Sequence, residues 1–199
     1  MIEFINIEKS EPYNKFTEIY KKAKKSKQKA INALNISSYD TKSLEVESRY
    51  VNLKYITDDQ WIFFSNYSSP KALQFIEHPQ ISAILFWESI NTQIRIKATI
   101  EKSSKSISDK HFAKRDKTKN ALSISSFQSS VAISYEDILE SYNKSLSKLN
   151  DKTRRPDYWG GYSFVPYYFE FWEGHKSRLN KREIYIKSGG IWNYSILQP

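Results

Sequence analysis

The amino-acid sequence predicts an α+β domain that is mainly β, with flanking helices around a small antiparallel β-barrel. Several short strand patterns are separated by turn residues, which is typical of barrels. Strand and helix patterns do not alternate along the chain, which disfavours a parallel doubly wound sheet. No internal repeat and no linker composition interrupts the 199 residues, so we expect a single domain over residues 1–199.

The composition is that of a packed globular protein. The chain is 39% hydrophobic and 15% aromatic, which is enough to bury a core. It contains no cysteine, which excludes disulfides and thiolate metal ligands. Its three histidines are too scattered to predict a metal site. The polar N-terminus and the absence of an apolar stretch of about 20 residues predict a cytoplasmic protein with no membrane partner.

The net charge of +9 is open to three interpretations. It can reflect a solvated surface, a site for anionic small ligands, or a nucleic-acid-binding face. Lysine is abundant throughout the chain, and its densest run, Lys21 to Lys29, falls on and just after one helical pattern. The distribution therefore favours a solvated surface with a contribution from anionic small ligands, and we expect no nucleic-acid partner.

Hydrophobic periodicity places the helices and strands. An N-terminal helix carries an apolar stripe of Phe16, Ile19, Tyr20 and Ala23. Further helices are predicted from Ser68-Ser69-Pro70 through Ile76, near residues 106–114, and from the Ser134 and Asp137 capping box to about Leu149, with a loop over 117–130. Strands are predicted over residues 30–37, 44–56, 60–66, 81–87, 93–101, 162–172, 183–187 and 191–196. A switch in apolar parity between Val46 and Val51 predicts a bulge or bend in the second strand.

Basic and amide side chains cluster at the ends of these elements. Arg49 and Lys54 lie on the second strand, Ser65 ends the third, and Lys71 lies in the first turn of the following helix. A helix N-terminus offers free backbone N–H groups and the positive end of the helix dipole, which suits a phosphate. The alternative is an ordinary capped helix on the surface.

Two further pairs of polar residues suit a flat anionic ligand. Gln93 and Arg95 lie on the polar side of an alternating strand, where an amide and a guanidinium could bind the edge of a heterocycle. Arg178 and Arg182 follow an aromatic strand and could stack on or pair with such a ligand. The alternatives are a solvent-facing strand, and salt bridges from the arginines to Glu173 or Glu183.

Motifs for other chemistries are missing from the sequence. It has no glycine-rich nucleotide fingerprint, no GxSxG elbow, no HExxH and no paired CxxC. Hydrolytic and metal-dependent mechanisms therefore lack the residues that they need.

The order of seven motifs resembles the pyridoxamine 5′-phosphate oxidase family, from about Phe16 to Pro199. The three near the C-terminus are the most specific. The motifs are RYVNLK at 49–54, FFSNYSSPKA at 63–72, QIRIKATIE at 93–101, FQSS at 127–130, WGGY at 159–162, EFWEG at 170–174 and RLNKR at 178–182. The resemblance implies a single FMN-binding split β-barrel domain that works as a homodimer, with FMN in two grooves between the subunits.

The resemblance also assigns site residues, position by position. FMN contacts are implied at Arg49, Tyr50, Val51, Asn52, Lys54, Phe64, Ser65, Lys71, Gln93, Gln128, Ser129, Trp172 and Arg182. Substrate contacts are implied at Lys54, His111, Arg115, Lys119 and Arg178, the first four of them around the substrate phosphate. Arg178 matches the family arginine that covers the substrate ring and Asn180 matches a histidine that contacts substrate, so these two are the implied catalytic positions.

The implied activity is oxidation of pyridoxamine 5′-phosphate or pyridoxine 5′-phosphate to pyridoxal 5′-phosphate, with dioxygen as acceptor. Alternatives are an FMN-dependent oxidoreductase for another planar substrate, and a flavin- or pyridoxal-phosphate-binding protein with little turnover. The sequence departs from the family pattern at Pro70 (usually arginine), His111 (usually tyrosine), Lys119 (usually serine) and Asn180 (usually histidine). The implied cofactor pocket therefore follows the family better than the implied substrate pocket does.

Overall fold

The computed structural model describes residues 1–150 and 152–199, and its elements are mainly strands. In chain order they are β1 (Glu3–Ile5), α1 (Glu11–Lys25), β2 (Ala33–Asp40), β3 (Glu45–Asn52), β4 (Tyr55–Thr57), β5 (Gln60–Asn66), α2 (Pro70–Glu77), β6 (Gln80–Trp87), a 3₁₀ turn (Glu88–Ile90), β7 (Thr92–Lys102), α3 (Lys105–Lys114), α4 (Lys117–Ser125), α5 (Tyr135–Lys148), β8 (Trp159–Glu173), β9 (Lys181–Ser188) and β10 (Ile191–Leu197). The predicted fold class is confirmed.

The strands form one sheet that closes into a barrel. Their order is β1-β4-β5-β8-β7-β6-β2-β3, and β9 and β10 extend from β8 as a hairpin. All these pairings are antiparallel except that of β1 with β4. The backbone N–H of Lys54, just after β3, donates to the carbonyl of Ile62 on β5 at 2.8 Å, and β3 contacts β5. These contacts close the barrel between β3, at one end of this order, and β5.

Strand β8 belongs to two parts of the sheet. Residues Trp159 to Phe164 pair with β5, and Tyr168 to Glu173 pair with β9, while β7 runs along both halves. The change of partner falls around Pro166, which has no backbone N–H to donate to a ladder. The β7–β8 register also shifts there, between Lys97 and Ala98.

Aromatic side chains fill the barrel. Phe16 of α1 packs on Trp61 and Trp87, with ring centroids 4.4 and 5.7 Å away. Trp61 contacts Phe169 at 5.8 Å. The predicted stripe of α1 is buried at Phe16, Tyr20 and Ala23, while Ile19 is partly buried. Helix α1 therefore covers the barrel through its apolar face.

The predicted loop over residues 117–130 is wrong, because residues 117–125 form α4. The buried side of α4 consists of Asn120, Ala121 and Ser123, so it lacks the apolar stripe by which a helix is recognised. Asn120 instead donates through Nδ2 to the carbonyl of Phe112 at 2.9 Å. The capping box at the start of α5 is confirmed, since Ser134 Oγ accepts from the N–H of Asp137 at 3.0 Å.

The single predicted strand over residues 44–56 is also wrong. The chain forms β3 and β4, separated at buried Leu53 and partly buried Lys54. The predicted bulge between Val46 and Val51 is absent, since β2 and β3 pair without a register shift. Val46 is 70% exposed while Val51 is buried, so the parity switch reflects an apolar residue on the outer face.

The Gly160–Gly161 pair lets α3 approach β8 closely. A Cβ on Gly160 would lie 2.2 Å from Tyr67 Oη and 2.9 Å from Ser108 Oγ of α3. The N–H of Gly161 donates to the same Ser108 hydroxyl at 3.0 Å. This contact sets the position of α3, which carries the predicted substrate residue His111 and is followed directly by a second one, Arg115.

Gly160→Ala should therefore destabilise the protein by roughly 1–3 kcal/mol, the usual cost of overpacking a close contact. Urea unfolding of the variant and the wild type measures this difference. An unchanged unfolding midpoint would show that Tyr67 and Ser108 can move aside without cost.

No helix in the described part of the chain is both long enough and apolar enough to cross a membrane.

Candidate active site

Arg49, predicted to bind the FMN phosphate, lies in a polar corner between β3 and α2. Its Nη1 donates to Ser38 Oγ at 2.5 Å, and its Nη2 donates to Gln74 Oε1 at 3.3 Å. Nη2 also pairs with Glu47 at 2.5 Å, a carboxylate that is nearly half exposed. Ser38 and Gln74 are buried, so they fix one edge of the guanidinium and leave it at the surface of the corner.

Lys71, the second predicted phosphate ligand, is buried beside Arg49. Its Nζ donates to Ser69 Oγ at 3.1 Å, and no carboxylate in the described part of the chain forms an ion pair with it. Burial, and then the charge of Arg49, lower the pKa of Lys71 to about 8. Two cations at the N-terminal end of α2 therefore share one exposed carboxylate, and a phosphate would complement them.

Ser65 and Gln128 are brought together by the fold. Ser65 Oγ and the N–H of Asn66 both donate to Gln128 Oε1, at 2.9 and 3.2 Å. This contact ties the segment after α4 to the end of β5. Ser129, the next predicted FMN residue, has a backbone φ of +68°, a strained conformation for a residue other than glycine that often marks functional loops.

His111 of α3, a predicted ligand of the substrate phosphate, lies among aromatic side chains. Its ring stacks on Phe64 with centroids 3.7 Å apart, and its Nδ1 lies 2.8 Å from the Tyr55 hydroxyl. Burial lowers the pKa of His111 to about 4, with further contributions from Arg115 and Lys54. The histidine is therefore neutral at physiological pH.

The other three predicted phosphate residues lie around His111. The pKa of Lys54 is lowered by burial and then by the charges of Lys119 and Arg115. Arg115 lies over the ring of Trp159 at 4.7 Å and donates to Ser123 Oγ. Lys119 pairs with exposed Asp116 at 2.8 Å. The fold thus groups three cations with one carboxylate nearby, as a dianionic ligand requires.

Three predicted flavin residues form a row across the C-terminal half of the sheet. Gln93 of β7 is the register partner of Trp172 of β8, which in turn pairs with Arg182 of β9. Directly paired residues project from the same face of a sheet, so the three side chains share one face. In the described part of the chain, no hydrogen bond or ion pair joins this row to the Arg49–Lys71 corner.

Arg178 and Asn180 lie in the loop between β8 and β9. Arg178 has a φ of +61° and is exposed. Asn180 Oδ1 accepts from the N–H of His175 at 3.0 Å. The loop follows directly on Trp172, so it is held next to the row of flavin residues.

The remaining predicted FMN residues, Tyr50, Val51 and Asn52, end strand β3. The side chains of Tyr50 and Asn52 are exposed, while Val51 is buried in the barrel. Backbone groups are therefore what Val51 has to offer a ligand.

Sequence reasoning missed several residues of the site. Ser38 and Gln74 hold Arg49, Tyr55 holds His111, and Trp159 lies under Arg115. These partners are distant in the sequence, so no local pattern reveals them. The suggested pairing of Arg182 with Glu173 or Glu183 is wrong, because its partner is Glu170 at 2.8 Å.

The low pKa of His111 predicts a pH-dependent stability. The unfolded state takes up a proton near pH 6.5 and the folded state only near pH 4, so stability should fall as the pH drops through this range. The loss should be roughly 2 kcal/mol. The His111→Phe variant keeps the stacking on Phe64 and removes the titration. Urea unfolding at pH 7 and pH 5 should show a smaller loss for the variant, and equal losses would contradict the assignment.

Comparison with known proteins identifies the family. Residues 159–199 match the family model described as the pyridoxine 5′-phosphate oxidase C-terminal dimerisation region. A pyridoxine/pyridoxamine 5′-phosphate oxidase from Haemophilus influenzae is 34% identical over 188 residues, covering 94% of this chain and 89% of the relative. One from Burkholderia cenocepacia is 32% identical over 193 residues, covering 95% and 89%. The chain belongs to the pyridoxine/pyridoxamine 5′-phosphate oxidase family.

Solved structures agree with this assignment. PhzG from Burkholderia lata, in complex with tetrahydrophenazine-1-carboxylic acid, superposes with a TM-score of 0.90 at 26% identity, covering 96% of this chain and 93% of PhzG. A pyridoxamine 5′-phosphate oxidase-related FMN-binding protein from Nostoc punctiforme has a TM-score of 0.79 at 11% identity, with coverages of 96% and 99%. The second likeness concerns the fold alone. The expected family and split barrel are confirmed.

Members of the pyridoxine/pyridoxamine 5′-phosphate oxidase family are FMN oxidoreductases, and the protein is an enzyme of this class that uses FMN. The residues present fit that cofactor. Buried Lys71 and its neighbour Arg49 would suit one phosphate, and the row of Gln93, Trp172 and Arg182 would offer an amide, an aromatic ring and a cation to a flat heterocycle.

Proposed function

We propose that the protein oxidises pyridoxine 5′-phosphate or pyridoxamine 5′-phosphate to pyridoxal 5′-phosphate, with dioxygen as the electron acceptor. The observation that carries the proposal is the group formed by Lys54, His111, Arg115 and Lys119. His111 stacks on the ring of Trp159 with centroids 6.2 Å apart, and Arg115 lies over the same ring at 4.7 Å. Burial, and then the charges of Lys119 and Arg115, lower the pKa of Lys54, and Asp116 pairs with Lys119. Such a group suits the phosphate of a B6 vitamer.

Each member of the group has a distinct part in substrate binding. Arg115 supplies a planar guanidinium that can make two parallel bonds to phosphate oxygens. Lys54 and Lys119 supply point charges. Nδ1 of neutral His111 lies 2.8 Å from the Tyr55 hydroxyl. In the tautomer in which Nδ1 accepts from that hydroxyl, Nε2 carries the proton and can donate it to the phosphate. Phosphate binding thus does not require the histidine to be charged.

Arg178 and Asn180 act on the substrate ring. Arg178 lies in an exposed loop next to the flavin row, from where its guanidinium can cover a planar ring. Asn180 can hold a substrate hydroxyl or amine by hydrogen bonding but cannot carry a proton. FMN, when bound, would supply the two-electron redox chemistry of the oxidation, with dioxygen as the final acceptor. The protein contributes binding and orientation.

The working unit in this proposal is a cytoplasmic homodimer. The Arg49–Lys71 corner and the row of Gln93, Trp172 and Arg182 share no direct contact within one protomer, and both contain implied FMN contacts. The match of residues 159–199 to a dimerisation region supports two protomers that complete each other's site. Light scattering of the flavin-loaded protein at micromolar concentration should give a dimer mass, and a monomer would contradict this part of the proposal.

A second candidate is oxidation of another planar substrate. It is favoured by Asn180, which stands where the family usually has histidine, and by the likeness to PhzG, whose solved complex holds a tetrahydrophenazine carboxylic acid. Oxygen consumption with pyridoxine 5′-phosphate, pyridoxamine 5′-phosphate and tetrahydrophenazine-1-carboxylic acid decides between the two. Turnover of the vitamer phosphates supports the proposal. Tight vitamer binding without oxidation would favour a binding protein.

A further inference from the structure

Glu170 is a buried carboxylate on the same face of the sheet as the implied flavin residues. It lies on β8 two residues before Trp172, and its register partner on β7 is Arg95. Alternation along the strand places the side chains of Glu170 and Trp172 on one face. The side chain of Glu170 is only 2% exposed, although this face lies outside the barrel core.

Two arginines and a tyrosine surround the carboxylate. Oε1 accepts from Nε of Arg182 at 2.9 Å and pairs with its Nη2 at 2.8 Å. Oε2 accepts from Nη1 of Arg95 at 2.7 Å and from the Tyr168 hydroxyl at 3.0 Å. Both oxygens are therefore saturated by donors that sit on three neighbouring strands.

These contacts fix the guanidinium of Arg182. Its Nε and Nη2 are held by Glu170, and its Nη1 donates to the carbonyl of Gln198 at 3.0 Å. A guanidinium has five N–H donors in a rigid plane. One donor on each terminal nitrogen is thus left over, in an orientation set by the other three bonds.

We infer that Glu170 is a positioning residue for FMN binding, acting through Arg182. It holds the guanidinium in place before the cofactor arrives, so that binding does not have to order a long cationic side chain. Its negative charge also offsets the repulsion between Arg95 and Arg182, which lie on either side of β8. The inference rests on the flavin site of the proposed function and adds a residue that does not itself touch the cofactor.

A double-mutant cycle on the FMN-loaded protein tests the inference. The variants are Glu170→Gln, Arg182→Gln and both together, and the readouts are FMN release on dilution, followed by flavin fluorescence, and the absorption spectrum of the bound flavin. Arg182→Gln and Glu170→Gln should each raise the FMN dissociation constant, on the order of 10-fold. The double variant should be no weaker than Arg182→Gln alone, because the carboxylate acts through the arginine.

Glu183→Gln is the matched control. Glu183 is also buried and bound to two cations, Lys15 at 2.5 Å and Lys181 at 2.9 Å, but alternation along β9 places it on the opposite face from Arg182. Glu183→Gln should change FMN affinity by less than about 2-fold, since Glu183 has no hydrogen bond or ion pair with Arg182. Glu170→Asp keeps the negative charge and should bind FMN more tightly than Glu170→Gln. Such a partial recovery would show that the loss in Glu170→Gln comes from the missing charge and not from a failure to fold.

The outcomes separate the inference from the proposed function. If Arg182→Gln weakens FMN binding but Glu170→Gln does not, or if the two effects multiply, the positioning role is overturned and the flavin site stands. If Arg182→Gln leaves FMN affinity unchanged, the flavin assignment of Arg182 is overturned and the role of Glu170 falls with it.

Discussion

Arg115→Ala should lower kcat/KM for pyridoxine 5′-phosphate on the order of 100-fold while leaving the value for unphosphorylated pyridoxine almost unchanged. Among the four residues proposed to bind the substrate phosphate, Arg115 is the one that can make two charge-assisted bonds. Its guanidinium is held in place by Trp159 and Ser123. Steady-state kinetics on both vitamers measures the two values. The wild type should prefer the phosphorylated vitamer by a comparable factor.

Arg154→Ala is the control for this experiment. Arg154 is an exposed arginine that precedes β8 and is not one of the residues proposed to bind the substrate phosphate. Its loss should leave kcat/KM for both vitamers within about 2-fold of the wild type. Equal kcat/KM values for pyridoxine and pyridoxine 5′-phosphate in the wild type would contradict the proposed substrate-phosphate site. An equal loss on both vitamers in Arg115→Ala would point to a general structural effect.

Lys71→Ala should weaken FMN binding by roughly 1.5–3 kcal/mol, or about 10- to 150-fold. Arg49 and Lys71 are the two cations of this corner, and Pro70 stands where the family usually supplies a third. FMN release on dilution measures the change. Lys42→Ala is a suitable control, because Lys42 pairs with Glu77 of the same helix α2 but is 79% exposed. Equal FMN affinity in both variants would refute the phosphate site.

The affinity for FMN should also depend on pH through Lys71. Its pKa of about 8 in the free protein should rise when a phosphate binds, because an anion favours the charged amine. Binding therefore takes up a proton, and FMN affinity should fall as the pH rises from 7 to 9. In Lys71→Ala this slope should flatten, and an equal slope in the two proteins would assign the titration to another group.

Local patterns in the sequence predicted most of the barrel, because a half-buried strand and an amphipathic helix both leave a periodic trace. Phe16, Tyr20 and Ala23 are an example, since each lies in the core where the period places it. The patterns failed where burial and polarity disagree. Helix α4 buries Asn120 and Ser123, and β3 exposes Val46, so in both places the chain contradicts the rule that the prediction used.

The candidate site could be predicted only through the order of its motifs. Taken singly, Lys71 is an ordinary residue at a helix start, and Gln93 is an ordinary residue on a polar strand face. What the sequence could not provide was the partner of each side chain. Ser38 and Arg49 meet because β2 pairs with β3, and Glu170 meets Arg182 because β8 pairs with β9. Such contacts depend on strand register, which forms only in the folded chain.

The change of partners along β8 has a consequence for how the domain can be divided. The stretch that matches a dimerisation region also contains the strand that lies between β5 and β7 in the barrel wall. A chain cut before Trp159 would therefore lose one strand of the barrel wall together with the β9–β10 hairpin. Strands β5 and β7 would each lose a pairing partner. The stretch that matches a dimerisation region and the wall that encloses the core are one piece of backbone, so neither can be exchanged or engineered without the other.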